Sequence, residues 1–311
     1  MSASDLLPVL VIGAGPAGVS TAIWLHNFDV PFYWVDADGE VGGTLRRLHN
    51  EISNFPGGPF EDGQDLCASL VEHLSALSLA PKRRNIISLR LSDHFDHPVA
   101  VDDQGGELEA RRVVLATGTA YRRLGVPGEA EGMGDFVSQS AAGDAPRFTG
   151  RSVAVVGGGD AAFENALILA DHDCQVTILA RNHNFRARPS FVEAAQHHRS
   201  IHIPPRSSVV TRIEPTQGGC RLFVDQQGHQ SIIEVAAVFI RIGVDPRVPG
   251  GCQSLRKDER GFVVVDGRGR TSHSEIFAVG DLTSTPLRSA ITAAGSGAHA
   301  AKACAEDLGF F

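Results

Sequence analysis

Apolar and polar positions along the chain alternate as short buried strands and amphipathic helices. The run "LPVLVI" at residues 7–12 is apolar throughout, as a strand covered on both faces is, and it runs into the glycine-rich turn "GAGPAG". Residues 16–27 follow with helical spacing and "PFYWVD" supplies a second strand, so the chain opens on the first half of a βαβ unit. Within 64–79, Leu66, Leu70, Leu74 and Leu77 share one helical face; "NIISLRL", "PVAVDDQG" and "LEARRVVLATG" then alternate as strands, with a turn at 104–106. The same grammar restarts at Ser152 with strand "SVAVV", the turn "GGGDAA", a helix over 161–170 and strand "CQVTILAR". After a further meander come "FVVVDG", "EIFAVGD" and a last helix over 287–305, which read as the closing strand and helix that the first 120 residues lack. The pattern predicts an α/β protein of two Rossmann-like dinucleotide-binding domains, the second inserted into a discontinuous first. The boundaries it suggests are 1–121 with 247–311 for the outer domain and 122–246 for the inserted one.

In each turn the first glycine permits the sharp strand-to-helix reversal, the second lets a pyrophosphate approach the backbone, and the third lets helix pack on strand. Gly13, Gly15 and Gly18 fill these places, with Pro16 and Ala17 opening the helix; Gly157, Gly159 and Ala162 fill them again, with Asp160 and Ala161 between. Eighteen residues beyond Gly18 stands Asp36, and eighteen beyond Ala162 stands Ala180. Asp36 accepts ribose hydroxyls and repels a 2′-phosphate, so the first cradle suits an adenosine with free hydroxyls, such as that of FAD. The second lacks the carboxylate and continues with Arg181, Arg186 and Arg188, residues that grip phosphate in a planar fork, which favours NADPH over NADH. Solvated surface charge is the competing reading of these arginines.

Composition narrows the classes. A chain of 311 residues, 42% hydrophobic and 21% charged, can build two cores. A net charge of -8 disfavours a nucleic-acid footprint, which needs a surplus of basic residues. The N-terminus has no basic segment before its apolar run and no run reaches spanning length, so neither a signal peptide nor a membrane partner is expected. Five scattered cysteines without any C-x-x-C suggest a reducing, cytoplasmic setting. His197, His198 and His202 have no ligand-spaced cysteine or carboxylate, and His94 and His97 sit in a turn sequence, so no metal is expected. His49 and Tyr33 belong to the first half; His49 is weighed as a flavin-tuning or proton-donating group against a structural role.

Across nearly its whole length the sequence resembles the low-molecular-weight thioredoxin reductases among the pyridine nucleotide-disulfide oxidoreductases. The matching words are "GAGPAG", "GGTL" (42–45), "NFPG" (54–57), "ATG" (116–118), "GGGDAA", "FRAR" (185–188), "VGD" (279–281) and "AITAAGSGAHAA" (290–301). The resemblance implies an FAD domain split around an NADPH domain, in a homodimer. It implies that Gly43, Thr44, Asn54, Ala116, Thr117, Gly118, Gly280 and Asp281 line the flavin, with Asp281 on its ribityl chain. It also sets the amides of Ser289 and Ala290, at the start of the last helix, toward the flavin edge that gathers negative charge on reduction.

The departure is chemical. Where the family carries a C-x-x-C pair, this chain reads "VSQSAAGD", with Ser140 and Gly143 in the cysteine places; the position at which a related bacillithiol-type reductase has a cysteine is Ala17. Another kin group, the thioredoxin-reductase-like ferredoxin or flavodoxin reductases, lacks the pair and covers its flavin with a C-terminal ring, for which Phe310 and Phe311 are the candidates here. The expectation is an FAD- and NADPH-dependent oxidoreductase with an external partner such as ferredoxin, flavodoxin, a quinone or a small molecule. Arg46 and Arg47 are candidate docking cations. A ferredoxin-linked enzyme that has lost nicotinamide use, and a non-catalytic flavin-binding redox sensor, stay open as alternatives.

Overall fold

The computed structural model describes residues 6–91, 97–182 and 184–311. One compact unit runs to Ala120 and resumes at Asp245; the other spans Tyr121–Val244. In the first, β1 (Leu7–Ile12), α1 (Pro16–Asn27) and β2 (Phe32–Asp36) are followed by α2 (Gly63–Ala76), β3 (Lys82–Arg83), β4 (Ile86–Arg90), β5 (Val99–Asp102), β6 (Glu107–Leu115) and β7 (Thr119–Tyr121). The inserted unit holds β8 (Val137–Ser138), α3 (Ala141–Asp144), β9 (Ser152–Val156), α4 (Asp160–Asp171), β10 (Gln175–Leu179), α5 (Pro189–His197), β11 (Ile201–His202), β12 (Val209–Thr216), β13 (Gly219–Gln226), β14 (His229–Val235), β15 (Ala237–Ile240) and β16 (Val244–Pro246), which leads back. The return contributes β17 (Ile276–Ala278) and α6 (Ala290–Asp307).

The first unit's sheet has the order β3-β2-β1-β6-β5-β4, and β17 also pairs with β6. Long β6 serves two partners on one side: its start runs antiparallel to β5, and its end, Val113 to Leu115, runs parallel to β17. Because β1 is buried on both faces, its side chains feed two cores: Val9 and Val11 face α1 and α6, while Leu10 and Ile12 join Leu255, Val263 and Leu282. Helices α1 and α6 meet closely because the contact is made of small residues. A Cβ on Gly297 would lie 2.3 Å from the Ala17 carbonyl oxygen. That contact sets α6, and therefore its N-terminus, against the first glycine-rich turn.

The inserted unit repeats the design with the parallel order β11-β10-β9-β15-β8, beside a three-stranded antiparallel sheet β12-β13-β14. Helix α4 packs Phe163, Ala166 and Leu169 onto β9 and β10 in a separate core. Two sequence expectations shift. The last helix begins at Ala290, where the Ser289 side chain accepts the Thr292 amide at 3.3 Å, and residues 287–288 lie outside it. The segment "FVVVDG" forms isolated bridges through Val263 in place of a strand. No helix among the described residues is long and apolar enough to cross a membrane.

Candidate functional site

The turn after β1 is held before any ligand arrives. Gly13 takes φ +109°, and a Cβ there would stand 2.3 Å from the Ala116 carbonyl oxygen. Trp34 donates its indole N–H to the Gly13 carbonyl at 2.9 Å. Gly18 packs beneath, where a Cβ would come within 2.0 Å of that same carbonyl oxygen. Gly15 differs: nothing lies within 4 Å of its would-be Cβ, so the protein leaves open the approach that a pyrophosphate needs. Asp36, at the end of β2, accepts the amides of Ala14 at 3.0 Å and Asp38 at 2.9 Å, one on each oxygen. A carboxylate has further lone pairs, so both oxygens can still take ribose hydroxyls.

These groups wall a cavity of about 1240 Å³. Gly13, Gly15, Pro16, Ala17 and Asp36 line one side, and Gly43 and Thr44 enter from the short 3-10 turn at Gly43–Arg47. Ala116, Thr117 and Gly118 contribute from the end of β6, Gly280 and Asp281 from the end of β17, and Ser289 and Ala290 from the α6 N-terminus. Asn54 is exposed and is not among the lining residues. Missed by sequence reasoning are Gln64, Ala68 and Val71 on one face of α2, Asn85 and Ile87 around β4, and Arg288. The sequence reading marked the opposite, leucine-bearing face of this helix, and nothing in the spacing of Gln64, Ala68 and Val71 singles out a cavity wall.

The Asp281 and Arg288 end of the cavity is electrostatically tense. Burial pushes the Asp281 carboxyl above its usual range, with Arg288 pulling it back. Burial also lowers the Arg288 guanidinium, aided by Arg260. The Arg288 Nε and Nη2 are buried without an acceptor, and the group stacks on Phe262 at 3.9 Å. A desolvated carboxylate and an unsatisfied guanidinium on one wall fit a polyhydroxyl chain that donates to one and accepts from the other.

In the inserted unit the second turn repeats the division of labour. A Cβ on Gly157 would meet the Arg241 carbonyl oxygen at 2.3 Å, whereas Gly159 again has nothing within 4 Å. Ala161 and Ala162 sit in the first turn of α4, Ala162 fully buried. Arg181 and Arg186 are exposed beyond β10. Arg188 is committed elsewhere: Asp160 accepts its backbone N–H at 2.6 Å and its Nε at 2.9 Å, and its guanidinium lies 4.2 Å from the Phe191 ring centre. Asp160 therefore orders the arginine segment by capturing Arg188, a role its place in the turn did not reveal.

Ser140 and Gly143 begin α3. The Ser140 hydroxyl caps that turn by accepting the Gly143 amide at 3.3 Å, Ser138 donates to Asp144 at 2.7 Å, and buried Asn165 accepts the Ala141 amide at 2.8 Å. All five cysteines are free and buried, and each lies in a different hydrophobic cluster: Cys304, Cys174, Cys252, Cys220 and Cys67. Burial pushes the thiols of Cys67 and Cys252 up to about 11 and of Cys220 to about 12, and raises those of Cys174 and Cys304 as well.

Several expectations need correction. Phe311 packs edge-on against Phe28 at 4.7 Å beneath Lys302, at the C-terminal end of α1, so within one protomer neither terminal ring lines the cavity, which adjoins the helix's other end. Arg46 is paired with Asp38 and Glu40, and both Arg46 and Arg47 line the cavity. Its carboxylate partners make Arg46 a poor docking cation, whereas Arg47 is exposed. His49 is exposed and off the cavity, while Tyr33 lines a separate cleft with His26 and Lys82. His97 faces Glu275 at 3.5 Å, the His197 ring meets the Glu193 carbonyl at 2.8 Å, and His198 accepts the Ser200 amide; His94 lies outside the described residues. Among the described residues no group of three or more metal-ligating side chains forms.

The fold and first cradle define a two-dinucleotide flavoprotein architecture. A family model for pyridine nucleotide-disulphide oxidoreductases matches residues 7–297, and the chain belongs to that family. The thioredoxin reductase of Mycolicibacterium smegmatis is 36% identical over 300 residues, covering 94% of this chain and 93% of the relative. The bifunctional thioredoxin reductase/thioredoxin of Mycobacterium leprae is 34% identical over 299 residues, of which this chain spans 64% of the relative's length and matches over 94% of its own. The crystal structure of Lactococcus lactis thioredoxin reductase in its FR conformation superposes with a TM-score of 0.82 at 28% identity, over 97% of this chain and 99% of that one. The cofactors are those of the family, FAD and NADPH. The open space over Gly15 and Gly159, together with Asp36 and the unsatisfied Arg288, fits them.

Proposed function

We propose that this chain is an FAD-dependent, NADPH-linked oxidoreductase that exchanges electrons with a partner outside its own polypeptide and has no active-site disulfide. The observation that carries the reading is the scatter of the cysteines over five separate cores, with Ser140 and Gly143 forming a capped turn. When bound, FAD supplies hydride uptake from the nicotinamide and onward release of electrons in single or paired steps. The chain's residues bind and orient. Asp36 takes adenosine ribose hydroxyls, the Gly15 turn receives pyrophosphate, and Asp281 accepts from the ribityl hydroxyls. The amides at the start of α6 stabilise negative charge facing them.

The electron partner is of a class that meets a flavin edge directly: a quinone, a small dye-like oxidant, or a ferredoxin- or flavodoxin-type protein. The same reading makes the enzyme a homodimer of a reducing cytoplasm. Anaerobic titration of the yellow holoprotein with NADPH should bleach its visible absorbance, and added quinone or one-electron dye should restore it, while thioredoxin should not. Rapid, thiol-dependent reduction of thioredoxin by NADPH would overturn the proposal.

A further inference from the structure

Arg241 follows directly on β15, the strand beside β9 and on the opposite side of it from β10. Its backbone N–H donates to the Val156 carbonyl at 2.8 Å, and its own carbonyl abuts Gly157, so the residue sits across the crevice from the second glycine-rich turn. Its guanidinium stacks on the Tyr121 ring, 4.7 Å from the centroid, and Nη1 donates to the Gln139 carbonyl at 2.5 Å. Nε is buried with no acceptor, and among the described residues no carboxylate pairs with Arg241 and Nη2 has no hydrogen bond. A chain this acidic has placed an uncompensated cation at the carboxyl edge of a parallel sheet, where strand order reverses and ligands of such sheets bind.

We propose that Arg241 is a binding residue for the nicotinamide mononucleotide half of NADPH. This rests on the dinucleotide reading of the second cradle and deepens it. A dinucleotide laid over the strand ends has its adenosine on the β9-α4-β10 side, where Arg181 and Arg186 follow β10, and its other half beyond β9, over β15 and β8. Arg241 is the cation on that second side. Its fork donates to the phosphate and ribose oxygens of the nicotinamide half, and the stack on Tyr121 with the anchor on Gln139 fixes the fork's plane beforehand, so less freedom is lost on binding. The arginines past β10 distinguish NADPH from NADH; Arg241 serves both cofactors equally.

Fragments separate these roles. In calorimetric titrations of the flavin-loaded protein with NADP⁺, NAD⁺ and 2′,5′-ADP, Arg241→Gln should weaken both dinucleotides by the same factor, roughly 10- to 100-fold, and leave 2′,5′-ADP within about twofold. The paired variant Arg181→Ala, Arg186→Ala should do the reverse, weakening NADP⁺ and 2′,5′-ADP and sparing NAD⁺. Arg241→Lys, which keeps the charge and the stack but loses the fork, should fall between wild type and Gln. If Arg241→Gln binds NADP⁺ like wild type, or loses 2′,5′-ADP as severely as NADP⁺, Arg241 is a structural brace and the proposal fails. If the wild type binds none of the three ligands, the dinucleotide reading of the second cradle falls, and the proposal with it.

Discussion

The side-chain oxygen of Ser140 accepts the backbone N–H of Gly143 at 3.3 Å. The two positions that the sequence resemblance sets at a C-x-x-C pair are joined here by a helix cap, and the surrounding bonds from Ser138 and Asn165 hold that turn as structure. Ser140→Ala should therefore cost stability, about 0.5–2 kcal/mol in denaturant unfolding, and leave NADPH-driven dye reduction unchanged. Lost dye reduction at unchanged stability would instead put Ser140 in contact with the electron partner.

Thiol chemistry offers an independent check. Because every cysteine is buried and each thiol is raised, a negligible fraction is thiolate at neutral pH, and the thiolate is the form that alkylates. Native holoprotein treated with N-ethylmaleimide at pH 7 should keep its dye reductase activity and show no modified cysteine by intact mass, while the denatured protein should take up five labels. Cys67 is the informative position, since it lines the cavity. Any labelling should appear there first, in the FAD-free protein.

Much of this was legible in the sequence, for a physical reason. The glycine turns repeat because each must satisfy three steric demands within six residues, and demands that local leave a local mark. The discontinuous first unit was legible too, since β17 and α6 supply the strand and helix missing from its first segment. What the sequence hid depends on contacts between distant residues. Asp160 looks like a ligand-facing turn residue until Arg188, 28 positions on, is seen to occupy it. Arg46 reads as a surface cation until Asp38 and Glu40 close on it. Phe311 could be a flavin lid or a helix plug, and only the position of Phe28 decides between them.

The first glycine turn predicts a contrast between neighbours. At Gly15 the backbone is extended, with φ -72° and ψ 179°, and the side-chain direction is empty, so Gly15→Val should fold with little change in the melting temperature of the FAD-free protein yet fail to retain FAD. Gly13→Ala forces a Cβ into the Ala116 carbonyl at positive φ and should destabilise the fold itself, by about 1–3 kcal/mol. Absorbance of the purified variants and their thermal unfolding together test this. A yellow Gly15→Val protein would contradict the assignment of that opening to a pyrophosphate.

Asp281 should trade stability for binding in a pH-dependent way. Its folded carboxyl is raised above the unfolded value, chiefly by burial, so the folded state holds the proton more tightly than the unfolded state does. The penalty for ionising it is absent below the unfolded value of about 4, grows as pH rises from there through the raised folded value, and is constant above. Asp281→Asn removes that charge. The FAD-free variant should therefore melt higher than FAD-free wild type at pH 7, and the difference should vanish as the pH is lowered toward 4. The same substitution removes a charged acceptor from the cavity wall and leaves Asp258 as the remaining carboxylate acting on Arg288. FAD should then bind roughly tenfold or more weakly, since hydrogen bonds to a charged partner are each worth about 1.5–3 kcal/mol. Melting curves of both FAD-free proteins across pH 4–8, with flavin fluorescence titrations at pH 7, measure the two effects. A variant less stable than wild type at pH 7 would show that the Asp281 charge supports the fold, and one that binds FAD as tightly would show that Asp281 has no part in holding the cofactor.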